Sequence, residues 1–220
     1  GNRRSGYRAC ICGMQTGGKM IIVLTGGIGS GKSTAAAILS REFGFPVYEA
    51  DSAVKCLYLT DESLLSDIES DAGRSFRDSE GKFSPSMMAG YLFSVPGAVE
   101  IVEQKVFPVL MKDFEKWKSE CDSEVVVFES ATILEKPYFK DFGDAVIIVD
   151  APLEVRIDRA AGRDGISREK VMARVRCQTL MNEISFGRNV PEDAYICRNE
   201  GSLSQLSSRL KEIIEIIINK

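Results

Sequence analysis

Residues 26–33 of the chain read Gly-Gly-Ile-Gly-Ser-Gly-Lys-Ser, the G-x-x-x-x-G-K-S spacing that gathers backbone N–H groups around an anion. Glycines let such a loop turn so that its amides point inward, and a helix opening at its end adds the positive end of a dipole. In this pattern Lys32 reaches the β- and γ-phosphates of ATP, while the Ser33 hydroxyl ligates a magnesium ion that bridges them. Gly27, Ile28, Gly29, Ser30, Gly31, Lys32, Ser33 and Thr34 are therefore the candidate nucleotide-binding residues, with Thr34 starting the helix behind the loop.

Two acids stand where strands should end. Asp51 follows the short apolar Val47–Tyr48 run, and a carboxylate there can orient an acceptor hydroxyl and take its proton; the plainer reading is a helix N-cap. Glu129 closes the Val125–Phe128 run, as an acid that holds magnesium directly or through water, or as a solvated strand-end glutamate. Farther on, Arg156, Arg159, Arg163, Arg168, Arg174 and Arg176 with Lys170 outweigh Asp158, Asp164 and Glu169. Arginines on a flap can stabilise charge on a moving phosphoryl group and keep water out. Most of them fit ordinary surface pairs one helical turn apart, and Arg163 beside Gly162 is the one singled out for a role in the reaction.

These groups need elements to hold them. Met20–Leu24 is a β-rich run, Ser33–Phe43 has helical spacing closed by Gly44 and Pro46, and Val47–Tyr48 reads as a second strand ending near Asp51. Residues 52–121 are polar and helical in period, broken at 74–85 by Asp78, Gly81 and Pro85. Val125–Phe128 and Ala145–Val149 are unbroken apolar runs, as for strands buried on both faces. Leu153–Asn182 reads as a flap of two helices interrupted at Gly162 and Gly165, Tyr195–Ile196 as a last strand, and Ser202–Ile218 as an amphipathic closing helix. Strands alternating with helices predict a parallel sheet in a three-layer α/β/α fold of the P-loop NTPase type, with a helical insertion and a lid. The expected divisions are a nucleotide core of residues 20–51, 122–153 and 192–220, an acceptor-side helical domain of 52–121, and a lid of 154–191.

Composition narrows the chemistry. The 220 residues contain no histidine, which excludes every mechanism that needs an imidazole. Cys10, Cys12, Cys56, Cys121, Cys177 and Cys197 lack metal-ligand spacing and suit reduced thiols in cytoplasm better than a disulfide framework. The formal charge of −4 argues against nonspecific nucleic-acid binding, and no window has the apolar length of a bilayer span. Residues 1–19 carry Arg3, Arg4, Arg8 and Lys19 with no acid and no apolar stretch of a secretory signal; they read as an extension, with Met20 as the start.

With these residues assembled, the chain resembles the dephospho-CoA kinase family from Met20 nearly to its C-terminus. Leu24–Thr34 matches that family's L-T-G-G-I-G-S-G-K-S-T opening, and Glu49-Ala50-Asp51 its D-A-D, whose second acid is the family's proposed base. Lys55 stands where the family has arginine, Glu129 and Glu135 fit D-x-P-L-L-x-E, Arg159–Asp164 fits R-x-x-x-R-D, Arg174 with Gln178 fits R-x-x-x-Q, and Asn199 with Gly201 fits an N-x-G loop near adenine. The resemblance implies ATP and dephospho-CoA as substrates, magnesium as the accompanying ion, Arg163, Asn199 and Gly201 on the ATP side, and Asp51, Lys55, Glu135 and Arg159 on the acceptor side. It also implies a monomer or small homo-oligomer with no membrane or nucleic-acid partner. Phe107 replaces a histidine before Pro108, Pro85 stands near an expected arginine, Ala131 replaces a proline and Glu49 an aspartate. Another small-molecule or nucleoside monophosphate kinase on the same core, and a catalytically weak nucleotide-binding regulator, are the competing readings.

Overall fold

A computed structural model describes residues 18–220. The expected N-terminal extension, apart from Gly18 and Lys19, lies outside the described residues, as do Cys10 and Cys12. The chain divides into two compact units, one of residues up to Tyr48 together with Asp122–Lys220, the other Glu49–Cys121.

The first unit is built on β1 (Met20–Gly26), β2 (Val47–Glu49, at its boundary), β3 (Val125–Glu129), β4 (Ala145–Asp150) and β5 (Ala194–Arg198). They form one parallel sheet in the order β2-β3-β1-β4-β5. Its helices are α1 (Lys32–Phe43), then, past the insertion, α6 (Leu153–Asp164), α7 (Arg168–Arg176), α8 (Thr179–Ser185) and α9 (Leu203–Ile218). The β-branched runs form strands because both faces are covered. Ile22, Leu24, Val127, Ile147, Val149 and Cys197 pack on one side against Ala35, Ile38 and Leu39 of α1 and Leu206, Leu210, Ile214 and Ile217 of α9. On the other side Ile148 meets Met181 and Ile184 of α8, and Phe128 meets Tyr48, Phe139 and Phe142. Register pairs Leu24 with Glu129, Gly26 with Val149 and Asp150 with Arg198. The carboxyl ends of these strands are thus level, and the chemistry gathers there.

The second unit contains α2 (Ala50–Thr60), α3 (Glu62–Ala72), α4 (Pro85–Ser94) and α5 (Ala98–Glu120). Leu64, Leu65, Ile68, Phe76, Met88, Tyr91, Ala98, Val102 and Val106 make its core. The break read at 74–85 is a loop pinned by Glu69, which accepts bonds from the Phe76 amide (2.7 Å), the Ser75 hydroxyl (2.8 Å) and Arg77 Nε (3.1 Å).

Three local expectations change. The first helix begins at Lys32 rather than Thr34, and Asp51 lies inside the first turn of α2, whose N-cap is Glu49. The flap holds three helices, not two: Gly162 sits within α6, and only Gly165 ends it, at φ 62°. A mid-helix glycine costs about 1 kcal/mol relative to alanine. Burial of Ile157 and Ala160 along one stripe of α6 offsets that cost, whereas Gly165 supplies the left-handed C-cap that stops a helix.

Candidate active site

The loop between β1 and α1 turns on itself, with the Ser30 amide donating to the Gly27 carbonyl at 3.0 Å. Gly31 enters α1 in the left-handed region (φ 98°), and no side chain caps the helix. The N-terminus of α1 presents the positive end of the helix dipole to an anion, and the first turn carries no acid to compete. Ser33 and Thr34 are exposed beside them.

Lys32 opens α1 and forms an ion pair with Glu129 at the end of β3. Side-chain exposure is 15% for Lys32 and 8% for Glu129, so this is a shielded pair rather than a surface one. The reading of Glu129 as a solvated strand-end acid does not hold, since β3 lies next to β1 and delivers its last side chain to the lysine.

Side chains from later in the chain close around the loop. Asn199, 7% exposed, donates from Nδ2 to the Ser30 carbonyl at 2.8 Å, and its own amide bonds Asp150 O at 2.7 Å. Arg159 Nη1 donates to the Asn199 carbonyl at 3.1 Å. The Ile28 amide donates to Gln178 Oε1 at 2.8 Å, and Arg156 Nε donates to the Ile28 carbonyl at 3.0 Å. Burial draws the Arg156 guanidinium below its ordinary pKa, against the raising influence of the Asp150 carboxylate. Arg159, expected on the acceptor side, is thus placed with the nucleotide-loop residues. In the sequence Arg156 is one member of a basic run; its signal there is its position on the apolar stripe of α6, one residue before Ile157 and one turn before Ala160.

The other expected residues have these places. The Arg163 side chain is 63% exposed and pairs with Asp164 at 2.7 Å, a bond that raises the arginine and lowers the acid. Asp164 also takes Arg174 Nη1 at 3.1 Å, tying the end of α6 to α7. Gly201 lies against Gln205 at the start of α9, where Ser202 and Gln205 form a capping box. Glu135, in a short 3-10 turn at Ile133–Glu135, has a buried Oε1 with no hydrogen-bond partner among the described residues. Asp51 and Lys55, four residues apart, share one exposed face of α2 in the other unit.

A parallel sheet with a glycine-rich loop feeding a helix, its first lysine paired with the acid that ends the neighbouring strand, defines a P-loop kinase. The chain belongs to the dephospho-CoA kinase family, whose model matches residues 20–203. A dephospho-CoA kinase of Bacteroides fragilis (strain YCH46) is 32% identical over 201 residues, covering 90% of this chain and 93% of the relative. One from Porphyromonas gingivalis is 38% identical over 161 residues, covering 71% and 76%. Among solved structures, TT1252 from Thermus thermophilus is similar at a TM-score of 0.75 and 30% identity, with 91% of this chain and 98% of that one covered. A dephospho-CoA kinase from Campylobacter jejuni, at 22% identity and a TM-score of 0.58 over 90% and 96%, shares the fold. No helix among the described residues is long and apolar enough to cross a membrane.

Proposed function

We propose that this chain transfers the γ-phosphoryl group of ATP to the ribose 3′-hydroxyl of dephospho-CoA, giving coenzyme A and ADP, the last step of coenzyme A biosynthesis. The observation that carries the reading is the Lys32–Glu129 pair at the mouth of the loop. A lysine held at a helix N-terminus by one carboxylate is poised to move to phosphate oxygens when they enter the loop.

In the reaction, the acceptor oxygen forms a bond to the γ-phosphorus as the bond to the β–γ bridging oxygen breaks, and ADP leaves with that electron pair. Asp51 accepts the hydroxyl proton. Lys32 and the loop amides balance the charge on the non-bridging oxygens. Ser33 and Glu129 offer a hydroxyl and a carboxylate, the oxygen donors a hard ion prefers. Such a donor set suits magnesium, which takes few protein ligands beside phosphate and water. Ser33 and Glu129 would hold the ion, which would supply neutralisation of the negative charge on the phosphate oxygens.

Arg159 and Asn199, joined at the loop, serve the nucleotide, with Gly201 shaping the turn after them. Glu135, with its unpartnered buried oxygen, and Lys55 serve the acceptor. Arg163 exchanges Asp164 for the moving phosphoryl group when the flap closes. The reaction belongs in the cytoplasm, where the thiols of Cys56, Cys121, Cys177 and Cys197 stay reduced.

The test is ADP release with ATP and magnesium against a panel of dephospho-CoA, nucleoside monophosphates and shikimate. Dephospho-CoA is expected to exceed the others by about a hundredfold in kcat/KM, since an acceptor held by polar contacts is discriminated strongly. Comparable rates with any monophosphate would sink the acceptor assignment. Asp51→Asn is expected to lower kcat by about a hundredfold or more, with ATP affinity within about twofold of the parent.

A further inference from the structure

Both peptide groups of Ile28 are held by side chains from outside the loop, its N–H by Gln178 and its carbonyl by Arg156. Arg156 is only 1% exposed, an uncommon burial for a guanidinium. Its Nη1 reaches Ser185 Oγ at 3.4 Å, and the Ser185 hydroxyl donates to Asp150 at 2.7 Å. Its Nη2 has no hydrogen-bond partner among the described residues and lies against Gly27, where a side chain on that residue would collide with it. The Arg156 backbone carbonyl crowds Gly29 in the same way, and Gly29 stands at φ 74°. The loop and the first turn of α6 have thus been brought into contact at two positions that only glycine permits.

Burying a cation with part of its donor set unsatisfied is costly, and an apolar side chain of similar volume would pack there with less desolvation. Packing alone therefore does not account for an arginine. What the guanidinium does at this place is fix the Ile28 carbonyl, opposite the grip of Gln178 on the Ile28 amide. We propose that Arg156 is a positioning residue for phosphoryl transfer, which sets the Ile28 peptide and through it the following phosphate-facing amides of the loop. The inference rests on the kinase reading above. Because Arg156 and Gln178 both come from the 154–191 segment, the clamp also ties the shape of the loop to the flap.

Arg156→Met keeps volume and removes the donor; Arg156→Lys keeps charge but not the Nε–H. Both are expected to retain the parent's circular dichroism, and Arg156→Met a thermal midpoint equal or higher, while the ATP dissociation constant by calorimetry and KM for ATP rise about tenfold or more. KM for dephospho-CoA is expected to stay within about twofold. Combining Arg156→Lys with Gln178→Met should add less than the two single effects, since both fix the backbone of one residue, Ile28. ATP binding within about twofold of the parent in Arg156→Lys, or strict additivity with Gln178→Met, overturns the proposal. Should Arg156→Met fail to fold, the lysine variant and the cycle still decide it. ATP binding is read without an acceptor, so a parent chain that binds ATP but leaves dephospho-CoA unchanged would refute the kinase reading and leave this one standing or falling separately.

Discussion

Lys32 and Glu129 are each other's counter-ion in this structure and each other's competitor once phosphates arrive. Removing one partner of a shielded pair leaves the other charge buried, which costs roughly 3 kcal/mol or more. Lys32→Met is therefore expected to lower stability in urea unfolding by about that amount and to abolish most turnover. The double variant Lys32→Met with Glu129→Gln is expected to recover the stability and none of the activity. Recovery of both would mean that the lysine serves the fold alone. At this scale the sequence was legible where a motif fixes spacing: the loop, Lys32 and the acid after the third strand. It was not legible for Arg156, because a run of arginines at helical spacing does not say which one turns inward until the apolar partners of that face, Ile157 and Ala160, are known. Arg163 was the arginine favoured by its glycine neighbour, but Gly162 is absorbed into α6 and leaves Arg163 paired with Asp164.

The elements themselves follow from simple patterns, and their ends do not. Strands β1, β3 and β4 are readable as β-branched runs because both their faces are covered, and α9 as an amphipathic repeat from Ser202 to Ile218; the capping box of Ser202 and Gln205 comes from the structure. The flap was misdivided because α8 is a seven-residue helix, too short for periodicity to register. The loop between α3 and α4 was readable as a break, but not as an ordered one. Burial pushes the Glu69 pKa upward, yet bonds from the Phe76 amide, Ser75 and Arg77 outweigh it and hold the acid below its ordinary value. An acid whose folded pKa is depressed stabilises fully above its unfolded pKa, about 4.3, and that contribution is lost as pH falls through the folded value. Glu69→Gln is expected to reduce stability near neutral pH, with the gap to the parent closing as pH drops below the ordinary glutamate range. A gap that is constant across this range in paired urea titrations would show that charge on Glu69 plays no part.

The whole molecule consists of two units of different legibility. The nucleotide unit was readable to its fold class, since loop, strands and helices constrain one another and the family match spans residues 20–203. In the insertion, the residues that depart from the family pattern have local structural places. Phe107 packs on the apolar cluster of the unit, and Pro85 occupies the first turn of α4, where a proline's missing N–H is harmless. Helical period alone gave the insertion its helices but could not assign an acceptor pocket, because polar side chains that bind and polar side chains that are merely solvated have the same spacing. The central claim, that the γ-phosphoryl group of ATP moves to the ribose 3′-oxygen of dephospho-CoA, is tested most directly by following that group. Full-length protein is incubated with γ-labelled ATP, magnesium and dephospho-CoA, and the label is located by phosphorus NMR and mass spectrometry. The expected result is label on the ribose 3′-oxygen in amounts equal to the ADP formed; label found only as inorganic phosphate, with dephospho-CoA unchanged, would contradict it.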